Sequence, residues 1–273
     1  MTDPSLDEVL RLELAGEDRF LGSTPAGAFA PSSIYGGQLI AQALLAAGGT
    51  VEERPCHSLH AYYIRAGDPT SPVTYQVERL RDGASFATRL VAASQNGKPV
   101  LHLAASFKRP EAGPVHQRPI PDVPGPDEAA AVKADWERAI SRGMPMEFRR
   151  VTPTELPPPI GGPAAQQLWF RATAPFADTP ALQQAVLAYI SDYGLLATAQ
   201  MPHNQVWQGM RSVASSLDHA LWLHRPSDMR EWHLYDEHSP SADDARGLGL
   251  GTIWRHDGVL VATVAQEGLM RPV

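Results

Sequence analysis

The sequence predicts an α+β protein built from two similar modules, each with a buried helix and several antiparallel strands. Three observations support this class: two apolar helical segments, a run of strand-like segments after each one, and the same order of features in both halves. The chain has 273 residues, of which 43% are hydrophobic and 19% charged. That composition is typical of a globular protein with a sizeable core.

In the first half of the chain, most predicted helices and all predicted strands lie before residue 110. An amphipathic helix is predicted over residues 5–14 and a strand over residues 19–23. Gly36-Gly37 precedes an apolar run over residues 38–47, which we expect to be a helix buried on most sides. Strand-like segments follow at residues 58–65, 73–81, 84–95 and 99–109. Asn96-Gly97, between the last two, is a typical hairpin turn.

The region from Pro110 to Pro163 differs in composition from the rest of the chain, because twelve of the 25 prolines lie there. We expect an ordered connector with a short helix around residues 127–141 and no regular strands. Beyond it the sequence predicts a strand, an apolar helix from Pro180 to about Thr198, and a second set of strands. The strands are predicted at residues 168–174, 212–224, 232–237, 245–255 and 259–271. The expected domains are therefore 1–112, 113–163 and 164–273.

The two halves also share short sequence matches. His60-Ala61 matches His219-Ala220 within strand-like segments, and Asn96-Gly97 matches the turn Asp257-Gly258. Because order, spacing and turn chemistry agree, two copies of one module are the simplest interpretation.

Composition and motifs exclude several classes of function. The net charge of −7 argues against a nucleic-acid partner, and no apolar run is long enough for a membrane span. The acidic start lacks the pattern of a secretory signal, so a cytoplasmic location is expected. Cys56 is the single cysteine, which excludes an intrachain disulfide and a thiolate metal cluster, and we interpret it as a packed side chain.

Two further patterns are interpreted as structural, so neither a metal nor a cofactor is expected. Polar residues at His233, Asp236, Glu237 and His238 are interpreted as a solvated strand edge rather than a metal site. The glycines between Gly247 and Gly251 have the wrong spacing for a dinucleotide-binding loop, and no helix follows them.

A long buried helix wrapped by an antiparallel sheet is the hotdog arrangement, and two copies in one chain make a double hotdog. Over nearly its whole length the sequence resembles the acyl-CoA thioesterase II family. The resemblance lies in short blocks in the family's order, including Tyr35-Gly36-Gly37-Gln38, His57-Ser58-Leu59-His60, Leu80-Arg81-Asp82-Gly83, Asp218-His219 and Gln266-Glu267-Gly268.

This resemblance implies hydrolysis of acyl-CoA to fatty acid and CoA by a water held in the second module. The family's trio of Asp, Thr or Ser, and Gln falls by motif on Asp192, Ser216 and Gln266. Threonine is the common residue where Ser216 stands; serine keeps the hydroxyl but rotates more freely about χ1. The repeat places Gln42 opposite Asp192 and Ser106 opposite Gln266, so we expect the first module to be catalytically silent.

These residue types suit a thioester, whose activated carbonyl needs an oriented water, a base and donors for the oxyanion. Asp192 is interpreted as the general base, or else as a carboxylate bonded to a neighbouring strand. Ser216 and Gln266 would orient the water. The alternative interpretation of Gln266 is an outward-facing polar residue on a half-exposed strand.

Binding contacts are less defined by the sequence. The amides of Gly37 and Gln38, at a helix start, are candidate donors to the carbonyl, and a plain N-terminal turn is the alternative. Arg65, His224 and Arg225 are candidate contacts to the phosphates of CoA, although solvated surface charges are the default interpretation.

Two other functions stay open at this stage. Hotdog proteins also hydrate enoyl-CoA with an Asp/His pair, for which Asp218-His219 is the candidate, but neighbours in a strand point to opposite faces. A non-catalytic acyl-CoA-binding protein would bind the same ligand without releasing thiol. Acyl-CoA is the expected partner in every case, and a homo-oligomer is also expected.

Overall fold

An antiparallel sheet with few helices dominates the described part of the chain, which is residues 4–29, 32–131, 143–152, 160–173, 175–203 and 212–272 of a computed structural model. The first half contains α1 (Leu6–Val9), β1 (Leu12–Gly16), β2 (Arg19–Gly22), α2 (Gly36–Gly48), β3 (Cys56–Tyr63), β4 (Val73–Asp82), β5 (Phe86–Gln95) and β6 (Lys98–Lys108).

The second half repeats this order with additions. It contains β7 (Ala130–Ala131), β8 (Met146–Thr152), β9 (Ala165–Ala172), α3 (Pro180–Ser191), α4 (Leu195–Gln200), a 3₁₀ turn (Met201–His203), β10 (Ser212–Ser216), β11 (Asp218–Leu223), β12 (His233–Asp243), β13 (Arg246–Arg255) and β14 (Leu260–Pro272).

The two halves join through β3 and β11 at the centre of the sheet. The strand order is β1-β2-β4-β5-β6-β3-β11-β14-β13-β12-β9-β8-β7, and β10 pairs separately with β14. On each side of the central pair the strands follow in the same sequence, so the halves repeat about this junction.

The structural correspondence between the strands of the two halves differs by one residue from the correspondence that the sequence match predicts. His60 lies on the exposed face of β3, whereas His219 is fully buried on β11. The predicted equivalence of His60-Ala61 with His219-Ala220 is therefore wrong, because a one-residue shift moves every strand side chain to the other face. Tyr75 on β4 and Tyr235 on β12, both fully buried, occupy the same position in their strands.

Helices α2 and α3 pack against each other inside the sheet. Leucine and alanine on most sides of α2 are buried, as the sequence predicts. The start of α2 approaches the end of α3 so closely that a Cβ on Gly37 would overlap the carbonyl oxygen of Tyr189. Two helices can cross at this distance only because one of them has no side chain there.

The second apolar helix is shorter than predicted. It begins with Thr179, whose hydroxyl accepts from the Leu182 amide at 3.2 Å, and with Pro180 in its first turn. It ends at Ser191, with Asp192 as its C-cap, and Gly194 follows with a φ of 92°. This left-handed backbone interrupts the helix, so the expectation of one helix to Thr198 is wrong.

The short helix α4 lies directly on β13 and β14. A Cβ on Gly249 would come within 2.9 Å of the Leu195 carbonyl oxygen, and one on Gly268 within 2.5 Å of Leu196. Two of the glycines noted in the sequence, Gly247 and Gly249, therefore clear space for a helix, whereas a Cβ on Gly251 would meet the Tyr235 ring.

Three sequence predictions need correction or fall outside the described residues. Only Leu6–Val9 of residues 5–14 is helical, because Leu12–Gly16 pairs with β2 across a turn at Asp18. Residues 127–129 form a turn, and residues 132–142 lie outside the described part. The predicted connector also contains a regular strand, β8, which pairs with β9.

Part of the proline-rich segment covers the outer face of the second half. Trp169 donates to the Pro124 carbonyl at 2.8 Å, and Ile120 and Val123 pack against a cluster that includes Trp254. Within the described ranges, no helix is long and apolar enough to cross a membrane.

Replacing Gly37 with alanine should lower the free energy of unfolding by about 1–3 kcal/mol, because the new methyl group would overlap the α3 backbone. Gly48→Ala in the same helix is the matched control, since its Cβ would meet only the Phe107 ring at 3.9 Å. Urea denaturation measures both variants. Equal stability of the two would contradict the close crossing.

Candidate functional site

The three residues of the predicted trio lie together where α3 ends against the sheet. Asp192 caps α3, Gln266 lies on β14, and Ser216 is the last residue of β10. Ser216 pairs with Gly268, two residues from Gln266 along the same strand. Since strand side chains alternate, Ser216 and Gln266 occupy the same face of the sheet.

Hydrogen bonds join the trio. The Gln266 amide nitrogen donates to Asp192 Oδ1 in a very short hydrogen bond and to Ser216 Oγ at 3.0 Å. With both Nε2 protons used, the amide orientation is fixed, because turning it would bring its oxygen against the carboxylate. The Ser216 hydroxyl also stabilises the ionised Asp192 and lowers its pKa.

Burial dominates the electrostatics of Asp192. Desolvation raises the pKa of its carboxyl to about 7, while nearby donors on Gln266, the Gly37 amide, Ser216 and Tyr63 act in the opposite direction. A carboxylate away from water loses hydration, and the surrounding donors replace it only in part. Such a group changes its protonation state near neutral pH, as a general base requires.

The first half of the chain also contributes to this centre. Gly36 and Gly37, at the start of α2, and Tyr63, at the end of β3, lie beside Asp192. A Cβ on Gly36 would be 2.7 Å from Asp192 Oδ2 and 2.7 Å from the Tyr63 hydroxyl oxygen. The centre is therefore built from both halves, beside the positive end of the α2 dipole.

Several buried polar atoms around Asp192 have no hydrogen-bond partner. They are Gln266 Oε1 and the hydroxyls of Tyr35 and Tyr63. Tyr63 is close enough to lower the pKa of Asp192, but it makes no hydrogen bond of regular geometry. Because unpaired buried polar groups are rare and costly, three at one centre indicate a place where ligand atoms bind.

A second buried carboxylate lies behind the helix break. Glu237 Oε2 accepts from the Gln166 amide and the Thr198 hydroxyl, each at 2.8 Å. Burial raises the pKa of Glu237 to about 8. The Thr198 amide donates to the Gly194 carbonyl at 2.8 Å, so the cluster holds the turn that follows Asp192.

The interpretation of residues 233–238 as a solvated edge is therefore wrong for two members. His233 and Glu237 are buried, because each lies two residues from Tyr235 and shares its core face of β12. The two-residue spacing was visible in the sequence, and applying it would have identified Glu237. The same rule applies to Tyr63, which shares the inward face of β3 with Leu59 and Ala61.

One of the two candidate carbonyl donors at the start of α2 is engaged within the protein. The Gln38 amide donates to the Tyr35 carbonyl at 3.0 Å, and the Gln38 side chain binds Thr24 Oγ1 at 3.0 Å. The Gly37 amide lies close enough to the Asp192 carboxylate to lower its pKa, but like Tyr63 it makes no hydrogen bond of regular geometry with it. In this structure the Gln38 amide is therefore not a free donor for a ligand.

The candidate phosphate contacts are separated. Arg65 follows Tyr63, whose amide donates to the Leu217 carbonyl next to Ser216. His224 and Arg225 lie at the other end of β11, roughly 25 Å along the strand from Ser216 at about 3.3 Å per residue. The structure therefore does not bring these two together with the trio.

Both arginines have a structural contact that the repeat duplicates. Arg65 donates to the Pro99 carbonyl at 2.7 Å, and Arg225 donates to the Leu260 carbonyl at 2.9 Å. His224 contacts the Thr263 hydroxyl at 2.8 Å. Each arginine fixes the start of the last strand of its own half.

The equivalent region of the first half has different contacts. Tyr75 donates to Gln42 Oε1 at 2.7 Å, whereas its counterpart Tyr235 donates to the Ser191 carbonyl at 2.6 Å. Gln42 therefore stands near the place that Asp192 occupies in the second half. Its amide donates to the Val9 carbonyl at 2.8 Å, so α1 covers it.

Other sequence candidates have structural roles. Cys56 is buried, and burial raises the pKa of its thiol to about 12, which agrees with a packed side chain. His57 contacts Ser106 Oγ at 2.8 Å rather than the thiol. His219 points into the core 2.9 Å from Ser191 Oγ, while Asp218 accepts from the Glu267 amide at 2.6 Å.

Asp192→Asn should stabilise the fold in a pH-dependent way. Because the folded pKa of about 7 lies above the ordinary value of 3.8 for an aspartate, the wild-type protein loses stability as pH rises from about 4 to 7. The variant lacks this loss, so its advantage should grow to at most about 4 kcal/mol. Urea denaturation across this pH range measures the difference; a constant difference would contradict a raised pKa.

Comparison with known proteins adds independent information. The acyl-CoA thioesterase model matches residues 144–269, and the acyl-CoA thioesterase N-terminal domain model matches residues 24–108. Human acyl-coenzyme A thioesterase 8 is 39% identical over 96% of this chain and 88% of the relative. Acyl-CoA thioesterase 2 of Haemophilus influenzae is 35% identical over 98% of this chain and 97% of the relative.

Solved structures agree with these relatives. Acyl-CoA thioesterase II TesB2 from Mycobacterium marinum has a TM-score of 0.83 at 38% identity, covering 98% of this chain and 99% of that one. A hotdog-fold protein from Alicyclobacillus acidocaldarius has a TM-score of 0.81 at 19% identity, covering 97% of each chain, and supports the fold alone. The chain therefore belongs to the acyl-CoA thioesterase II family.

Proposed function

We propose that this protein hydrolyses acyl-CoA thioesters to fatty acid and CoA, with a water activated by Asp192 and oriented by Ser216 and Gln266. The observation that carries the proposal is the buried, hydrogen-bonded trio, in which burial raises the pKa of the carboxylate to about 7. A carboxylate at that pKa is a stronger base than an exposed one and is still ionised in a substantial fraction at neutral pH.

The reaction follows from the available acceptors and donors. Asp192 accepts one proton of the water as its oxygen attacks the thioester carbonyl carbon. The C–S bond then breaks, and the proton passes from Asp192 to the CoA sulfur. Neither a metal nor a covalent intermediate is required, since the thiolate is a good leaving group.

Gln266 has a second role in this scheme. Its amide protons are used by Asp192 and Ser216, whereas its buried Oε1 has no partner. That oxygen accepts the second proton of the water, so two acceptors fix the water and direct its lone pair at the substrate. Such orientation contributes by reducing the entropy of the attack.

The proposed architecture is a double hotdog with modules 1–112 and 164–273 joined by a connector at 113–163. The repeated strand order and the matched tyrosines support it. The first module is proposed to be silent, because an amide, Gln42, stands near the place of the carboxylate and is covered by α1.

The hydratase alternative loses support from the geometry. It needs Asp218 and His219 to act on one substrate, but His219 is directed at Ser191 in the core and Asp218 at the backbone of Glu267. Burial also lowers the pKa of His219 to about 3, so at neutral pH it is uncharged and a weak base. Loss of enoyl absorbance from crotonyl-CoA without thiol release would restore this alternative.

Asp192→Asn should lower kcat about 10²–10⁴-fold, the usual contribution of a general base. Thiol release from a series of acyl-CoAs, from acetyl to palmitoyl, measures it. Cys56 does not interfere with a thiol reagent, because it is buried. A variant with wild-type turnover would refute the proposal, and tight binding without turnover in the wild type would favour a binding protein.

The pH dependence of kcat/KM should report the same group. Because the base must be ionised, activity should fall as pH drops below about 7, with an apparent pKa near that of Asp192. A profile that stays flat to pH 5 would contradict the assignment.

Ser216→Ala should lower kcat about tenfold, through loss of one hydrogen bond to a charged group. Ser216→Thr keeps the hydroxyl and is the matched variant, so it should retain most of the activity. Equal losses in both would mean that packing, and not the hydroxyl, matters at this position.

Three further expectations stay predictions. Arg65, two residues after Tyr63 in the chain, is a better candidate for a CoA phosphate than His224 or Arg225, which lie at the other end of β11. A homo-oligomer is testable by sedimentation, and a cytoplasmic location by fractionation.

A further inference from the structure

Tyr63 enters the site from the first half of the chain. It is the last residue of β3, and its side chain lies on the face that also holds Leu59 and Ala61. Its amide donates to the Leu217 carbonyl at 2.9 Å, directly after Ser216. Backbone pairing therefore fixes Tyr63 against the strand that carries part of the trio.

The hydroxyl of Tyr63 is a buried donor without a regular hydrogen bond. It lies 2.7 Å from the point where a Cβ on Gly36 would stand, and Asp192 Oδ2 lies 2.7 Å from the same point. Burial, with the nearby Asp192 charge, raises the pKa of the phenol well above its usual value, so it keeps its proton.

Most other donors near Asp192 are already engaged. Both amide protons of Gln266 are used, and the Gln38 amide bonds the Tyr35 carbonyl. A thioester carbonyl attacked beside Asp192 still needs a donor, because negative charge develops on its oxygen. Among the side chains of the described residues, the unpaired phenols of Tyr63 and Tyr35 remain.

Tyr63 is the better placed of these two. The Tyr63 hydroxyl is close enough to the Asp192 carboxylate to lower its pKa, whereas Tyr35 is linked to that group only through the Asp192 charge, which raises the pKa of the Tyr35 phenol. The Tyr35 ring is held edge-on against Tyr189 and Phe29, on the helix side of the centre.

We propose that Tyr63 is a catalytic residue whose phenol donates a hydrogen bond to the thioester carbonyl oxygen as it becomes an oxyanion. The proposal rests on the assignment of Asp192 as the base. The phenol keeps its proton throughout: water adds to the carbon, Asp192 takes the water proton, and the C–S bond breaks. The first half, silent as a centre of its own, thus supplies the oxyanion donor for the second.

The first experiment compares kcat and KM for Tyr63→Phe, Tyr35→Phe and Asp192→Asn. Tyr63→Phe should lower kcat about 10²-fold, the effect of removing one oxyanion donor, with KM nearly unchanged. Tyr75→Phe is the matched control, because it removes a buried hydroxyl that bonds Gln42 in the first half. It should lower thermal stability and leave kcat unchanged.

Each outcome has a distinct meaning. Wild-type kcat in Tyr63→Phe with an inactive Asp192→Asn overturns the role of Tyr63 and leaves the base assignment intact. Full activity in Asp192→Asn overturns the base assignment itself. A loss in Tyr35→Phe but not in Tyr63→Phe assigns the donor to Tyr35 and also overturns the proposal.

The second experiment separates contact with the carbonyl from an effect on Asp192. Two inert ligands are compared by calorimetry: an alkyl-CoA thioether, which has no carbonyl, and a ketone analogue with carbon in place of sulfur. Tyr63→Phe should weaken ketone binding about tenfold and leave thioether binding unchanged. Equal affinities of wild type and variant for the ketone would show that Tyr63 does not touch the carbonyl oxygen.

Discussion

The burial of the Asp192 carboxylate is the constraint on which the rest of the site depends. An isolated charge in this environment would be strongly unfavourable, and the fold compensates with donors from four separate elements. They come from the start of α2, the ends of β3 and β10, and the middle of β14. Each of these elements must therefore be in place before Asp192 can ionise, which links the chemistry to complete assembly of the sheet.

The backbone around Asp192 is arranged to permit this burial. Gly36 and Gly37 allow α2 to approach the end of α3, because any side chain there would overlap the carboxylate or the Tyr189 carbonyl. Gly194 interrupts the helix about two turns before the end that its apolar sequence suggests. Behind it, Glu237 with Gln166 and Thr198 anchors the turn and α4 to the sheet. The site thus depends on close backbone contacts as much as on its polar side chains.

Much of the fold could be predicted from the sequence, since α2 and the strands of both halves follow from hydrophobic periodicity and turn residues. The trio was reached through resemblance to a family, because nothing in the pattern around Ser216 distinguishes it from an ordinary serine. Local patterns could not locate the end of α3, where one glycine overrides an apolar run. Nor could they give the one-residue register of the repeat, which follows from which strand residues of each half are buried.

Tyr63 and Glu237 were missed for different reasons. Tyr63 acts on a residue about 130 positions away, and only the junction of the halves brings them together. Glu237 was misread because neighbouring polar residues suggested an exposed edge, although it lies on the same face of β12 as the buried His233 and Tyr235. In both cases the deciding information was the face of the strand and what packs on it.

The ionisation of Asp192 can be observed directly by carboxyl-carbon NMR of labelled protein, with Asp192→Asn to assign its resonance. We expect one aspartate signal to titrate near pH 7, far from the exposed carboxyls, and to be missing in the variant. A signal that titrates near pH 4 would contradict the account, because the carboxylate would then be hydrated like any surface acid.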